Sequence, residues 1–151
     1  AMIAPEPEVV ARELFRVVRP GNTVGMTAWS PDSAAVEMFD IGRRYAPGGP
    51  PEHKPDRWGD EENVRRWFDG LANSIEFERR SVTWAADSPE DFVAMMERSA
   101  PPQVAAKAAM PADQYAQMRG EMLDLGRRWA GGDGPFSVEA GYLQIVARRR
   151  G

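Results

Sequence analysis

The segment from Glu8 to Trp29 constrains the fold more than any other part of the chain, because it sets a helix, a corner and a strand in immediate succession. Val10, Leu14, Val17 and Val18 recur at three- and four-residue steps on one helical face, while Glu8, Arg12, Glu13, Arg16 and Arg19 mark the other. Such a helix packs against a sheet. Pro20 lacks the N–H a continuing helix needs, and Gly21 readily takes the left-handed terminal conformation, so the pair stops the helix. Thr23 to Trp29 follows as a strand.

The remainder continues the alternation of helix and strand. Ala35, Met38, Phe39 and Ile41 predict a helix within Pro31 to Tyr45, with Asp32 or Ser33 as its cap. Ala46 to Pro55 is loop, since Pro47-Gly48-Gly49-Pro50-Pro51 holds neither helix nor ladder. Asp60-Glu61-Glu62 then puts acidic residues in the first turn of a helix whose inner face is Val64, Trp67, Phe68 and Leu71. Ser74 to Ala85 alternates as a half-exposed strand with an irregularity midway. Ser88-Pro89-Glu90-Asp91 starts a further helix, with Phe92, Met95 and Met96 inward, and Pro101-Pro102 closes it. Residues 103 to 110 form a less regular helical run. Tyr115, Met118, Met122, Leu125 and Trp129 mark a long helix from Pro111 to Ala130. After a turn at Gly131 to Pro135, Tyr142 to Ala147 is the last strand.

Composition narrows the functional classes. A chain of 151 residues supports a single domain over 1–151, since folding at this size buries roughly 70% of the unfolded chain's surface. No apolar run approaches a membrane span and no export signal is visible, so the reading is cytoplasmic, without a membrane partner. The absence of cysteine excludes disulfides, thiolate metal sites and a Cys nucleophile. A formal charge of -4 gives the surface no general attraction for phosphate backbones, so no nucleic-acid partner is expected. Glu76, Glu78, Arg79 and Arg80, and the basic groups Arg127-Arg128 and Arg148-Arg149-Arg150, read as solvated surface.

Leu14 to Gly21, Leu-Phe-Arg-Val-Val-Arg-Pro-Gly, followed by the strand Thr23 to Trp29, resembles the fourth helix and fifth strand of class I S-adenosylmethionine-dependent methyltransferases, the small-molecule, type 11-like members in particular. Asn22 stands where that family has a second glycine, and Asn also accepts turn conformations. The resemblance covers essentially the whole chain and implies an α/β fold that is an incomplete Rossmann-like methyltransferase fold. Its three-strand mixed sheet would have the family's order 5-7-6, with Ser74 to Trp84 as strand six, Gly141 to Arg148 as strand seven, and a helical insertion between the last two strands.

The resemblance also implies the C-terminal, acceptor-substrate side of a methyltransferase. No Gly-x-Gly-x-Gly turn follows a strand in this sequence, and Gly131-Gly132-Asp133-Gly134 follows a helix instead, the reverse of the context that cradles a nucleotide-like cofactor. S-adenosylmethionine therefore belongs to the complete family fold, none is expected for this chain alone, and the cofactor-binding N-terminal half is expected to lie outside it. The alternative is a non-enzymatic, dimeric ligand-binding or interaction module derived from such an enzyme. The partners to expect are a second copy meeting near Thr23 to Trp29 or a separate N-terminal half.

Trp29, Phe39, Tyr45, His53 and Trp58 fall on the strand-five exit and the segment after it, which in relatives help to form the acceptor pocket, so they imply contacts to a small apolar or aromatic molecule. Packing in the core is the other reading of those rings. His53, the sole histidine, is the one side chain whose ordinary pKa suits acid-base work near neutrality, but it stands in the proline-rich loop. A lone histidine among scattered carboxylates offers no metal-ligand spacing, and no catalytic residue is assigned.

Overall fold

The computed structural model describes residues 4–46, 55–131 and 135–151. These form helices α1 (Pro7–Val17), α2 (Ala34–Arg44), α3 (Glu61–Phe68), α4 (Pro89–Ser99), α5 (Pro101–Ala109) and α6 (Ala112–Ala130), strands β1 (Thr23–Trp29), β2 (Ala72–Ala86) and β3 (Phe136–Arg149), and a 3-10 turn at Pro55–Gly59. They divide into two compact units. The first comprises Ala1–Val36, Glu52–Val82 and Gly141–Gly151, and the second Glu37–Pro51 and Thr83–Ala140.

In the first unit α1 buries Ala11 and Phe15, with Val10, Leu14 and Val18 packed partly against the core. Val17 is 67% exposed, so the buried stripe centres on the Ala11–Phe15 pair rather than on the valine row that the sequence suggests. The corner forms as expected: Val18 is extended, Asn22 N–H donates to Arg19 C=O at 3.0 Å, and Gly21 has φ of 77°. Asp60 caps α3 by accepting from Asn63 N–H at 3.0 Å, satisfying a donor the helix itself cannot. Val64, Trp67 and Phe68 are then buried. Phe15 meets Phe68 edge-on with ring centroids 4.9 Å apart, and Val24, Ala28, Leu143, Ile145 and Ala147 form the sheet side of this core.

The strands lie in the order β1-β3-β2, with β1 and β3 antiparallel and paired without interruption from Thr23 with Arg148 to Trp29 with Tyr142. The sheet is antiparallel, which corrects the mixed sheet expected from the sequence. A mixed sheet needs one parallel neighbour pair, and placing the reversed β3 in the middle removes it. The side chains explain the order. Leu143, Ile145 and Ala147 suit a central strand, whereas the charged β2 suits an edge. Both β2 and β3 run further than their apolar stretches indicate, because ladder bonds carry the backbone through polar residues.

In the second unit Ser88 caps α4, its hydroxyl accepting from Asp91 N–H at 3.1 Å and donating to the Asp91 carboxylate at 2.7 Å. The inner face is Phe92 and Val93, while Met95 is 37% exposed, a one-residue rotation from the expected face. Pro101-Pro102 ends α4 and also begins α5. Ala100 serves both helices, its N–H donating to Met96 C=O and its C=O accepting from Val104 N–H, and proline at the first helical position needs no N–H. Phe92 stacks on Phe136 at 4.2 Å between centroids, and Met38, Ile41, Met118, Met122 and Leu125 complete this core. Gly126 lets α6 approach α4, since a Cβ there would stand 3.2 Å from Pro89 Cβ.

Candidate functional site

At the end of β1 in the first unit, Thr27, Ala28, Trp29, Val82 and Tyr142 line a cavity of about 330 Å³. The β1–β3 register puts Trp29 directly opposite Tyr142. Their rings meet edge-on, 6.4 Å between centroids and 88° between planes. Val24 and Ala28 turn to the face packed in this unit's core, so Thr23, Gly25, Thr27 and Trp29 belong to the other. The result is an apolar, two-aromatic slot bordered by the Thr27 hydroxyl. Arg80, whose guanidinium donates to Glu78 at 2.8 Å, lies close enough to the Tyr142 hydroxyl to interact with it. Behind the slot, Ser30 is buried and its N–H donates to Gly141 C=O at 3.1 Å, which fixes the strand end.

Close by, Gly59 packs on the exit of β1. A Cβ at this position would fall 1.8 Å from the Trp29 carbonyl oxygen. The 3-10 turn can therefore touch the strand end only with glycine there, which holds the Trp29 backbone in place from outside the sheet.

The second unit has a separate cleft of about 330 Å³, lined by Glu37, Asp40, Arg44, Glu121, Asp124 and Arg128 over an Ile41 and Leu125 floor. Tyr45 donates its hydroxyl to Glu121 at 2.5 Å, and Arg44 pairs with the same carboxylate. The hydrogen bond to Glu121 raises the Tyr45 pKa, and the bonds from Tyr45 and Arg44 lower that of Glu121. Arg43 pairs with Asp40 and Arg127 with Asp124 as well, so most of these carboxylates already face a guanidinium and the cleft reads as a surface network.

The five sequence candidates therefore occupy different surroundings. Trp29 lines the slot. Trp58 is 2% exposed and packs on Trp67 at 4.6 Å, within the core of the first unit. Phe39 is half-buried on α2 and Tyr45 joins the charged network, both in the second unit. His53 lies outside the described residues. Sequence reasoning missed Tyr142, Val82 and Thr27. The alternation along β3 could have marked Tyr142 as a face residue, but its meeting with Trp29 depends on a register between distant segments.

The described residues do not offer the glycine turn that cradles an adenosyl cofactor. Among the described residues the positive-φ glycines are Gly21, Gly70 and Gly131, and each lies between a helix and the strand that follows it. A cofactor cradle needs the opposite order, a strand leading through glycine into a helix start. The two strand-to-helix junctions here, Ser30–Ser33 and Asp87–Ser88, contain no glycine. No group of three or more acidic or histidine side chains among the described residues is arranged to hold a metal ion, and no described helix is long and apolar enough to cross a membrane.

No family model matches the sequence, and no curated protein matches it. The fold is similar to that of a solved structure from Bacillus halodurans C-125, a protein provisionally described as a methyltransferase, at 13% sequence identity and a TM-score of 0.45. The match covers 97% of this chain and 59% of that one, so the chain spans less than two thirds of the length of the protein it resembles.

Proposed function

We propose that this chain is the C-terminal, acceptor-side portion of a small-molecule S-adenosylmethionine-dependent methyltransferase fold, holding a flat apolar or aromatic acceptor against Trp29 and Tyr142. The observation that carries the reading is the sheet order: β3, last in sequence, lies between β1 and β2. On this reading β1, β3 and β2 correspond to strands five, seven and six of the order that the Arg-Pro-Gly segment and the element order imply. The slot at the exit of β1 supports it further, since this is where the resemblance places acceptor contacts. The chain's own part is to bind and orient the acceptor and keep water from one face of it. A cofactor cradle comes from outside these residues, and the isolated chain transfers no methyl group.

Tryptophan fluorescence during titration with a panel of planar phenols and indoles tests acceptor binding, with Trp29→Leu and Tyr142→Leu as comparison variants. Saturable binding lost in both variants is the expected result, and binding that ignores both substitutions would remove the slot from the proposal. Calorimetry with S-adenosylhomocysteine is expected to show no heat. Stoichiometric binding would mean that this chain builds a cofactor site after all.

A further inference from the structure

The lining of the slot, Thr27, Ala28, Trp29, Val82 and Tyr142, holds no group that is charged near neutrality, so any selection by charge comes from its surroundings. Arg80 of β2 stands beside Tyr142. A Cβ on Gly141, the residue before Tyr142, would lie 4.0 Å from the Arg80 carbonyl oxygen, so β2 and β3 are neighbours here, and the guanidinium comes within reach of the Tyr142 hydroxyl. Arg80 Nη2 also donates to Glu78 Oε2 at 2.8 Å. Both of those side chains are about half exposed, and an ion pair so open to water is held weakly and exchanges partners readily. The guanidinium has further N–H groups, set in a planar fork that matches a carboxylate with parallel hydrogen bonds. Arginine offers donors only, so the Tyr142 oxygen can meet it only as an acceptor, and the phenol's own O–H is left to donate to a ligand. The charged end of the slot is therefore built of donors and a cation. It lies on β3 and β2, away from the outer edge of β1.

We propose that the molecule this slot takes is an aromatic carboxylate, its ring against Trp29 and Tyr142 and its carboxylate on Arg80, with the Tyr142 hydroxyl as a further donor. The inference rests on the acceptor reading above and narrows it to a substrate class. A cationic ligand would bring its charge next to the guanidinium and find Glu78 already engaged. A neutral planar ligand would fill the space between the rings but leave the fork unused. A carboxylate uses both ends, and a bidentate pair also fixes how the ring is turned within the slot, which a point charge would not do. Arg80 is thus a specificity-determining residue: it reads the anionic group of the ligand, while Trp29 and Tyr142 read its flatness.

Calorimetric titration of the full chain with β-naphthoate and with β-naphthamide, which has nearly the same shape without the charge, provides the test. The parent should bind the acid at least about tenfold more tightly than the amide. Arg80→Gln should bring the two within about twofold of each other by weakening the acid alone. Arg80→Lys should keep only part of the preference, because an ammonium retains the charge but not the fork. Added salt should weaken the acid and spare the amide. Arg80 is exposed on an edge strand, so both variants should fold, and circular dichroism checks that they do. Equal affinities in the parent, or a preference that survives Arg80→Gln, overturns the proposal. Trp29→Leu separates it from the reading on which it rests. If the parent binds both compounds equally and Trp29→Leu abolishes both, the acceptor slot stands and only the carboxylate is removed. If neither compound binds the parent, or both bind regardless of Trp29→Leu, the acceptor reading falls and this inference falls with it.

Discussion

The Tyr115 hydroxyl on α6 donates a 2.7 Å hydrogen bond to Glu97 Oε1 on α4, and Arg119 Nε reaches the same oxygen at 3.0 Å. Lys107 of α5 stands 4.0 Å away, so one carboxylate, its side chain only 11% exposed, ties together α4, α5 and α6.

That arrangement makes stability depend on pH at both ends of the scale. Burial, and then the hydrogen bond to Glu97, push the Tyr115 pKa from 10.0 up to about 12. A group raised on folding contributes stability that is complete below its unfolded value and lost as pH rises through the folded one, so the decline falls between about pH 10 and 12. Glu97 shifts the other way. Burial would raise it, but the Tyr115 hydrogen bond and the Arg119 and Lys107 charges together hold it below the ordinary carboxylate range. Its contribution is present above its unfolded value and lost as pH falls through the lower folded one. Urea midpoints across pH should show Tyr115→Phe less stable by about 1 kcal/mol at neutrality and lacking this alkaline decline. An undiminished decline would remove Tyr115 from the explanation.

Phe92 is fully buried and stacked on Phe136. Phe92→Ala should cost about 3–5 kcal/mol by chemical denaturation, the transfer loss plus the cavity left behind, and Phe92→Leu distinctly less. A loss under about 1 kcal/mol would mean the site collapses freely, contrary to a packed core.

Two glycines on or beside β1 should respond in opposite directions to alanine. A Cβ at Gly59 meets the Trp29 backbone, so Gly59→Ala should cost about 1–3 kcal/mol and shift the Trp29 emission as the strand end is displaced. Gly25 has open space around it, and alanine there should stabilise the strand by roughly 0.5 kcal/mol. Equal effects at the two positions would contradict the close approach of the 3-10 turn.

Ser88→Ala removes the side chain that accepts from Asp91 N–H. The expected cost is about 1 kcal/mol, and Ser88→Asp should recover most of it because a carboxylate also caps and suits the helix dipole. Thermal midpoints of the three proteins suffice to check this.

What the sequence determined by itself is local. The Pro20-Gly21 corner, the Asp60 and Ser88 caps and the helices they begin depend on residues within a few positions of one another, and a short-range hydrogen bond or a forbidden dihedral decides them wherever the rest of the chain goes. Only tertiary structure decided the order β1-β3-β2 and the register that sets Trp29 opposite Tyr142 and so creates the slot. The rotation that exposes Val17 and buries Phe15 was likewise settled by the Phe68 ring waiting beneath α1. Trp29 at the end of β1 and Trp58 in the segment that follows are both candidate acceptor contacts in the sequence, yet one lines a cavity and the other packs on Trp67. The physical reason is common to all these cases: burial and cross-strand pairing are energies between segments far apart in the chain, and a local pattern can state what a residue prefers but not which distant surface arrives to meet it.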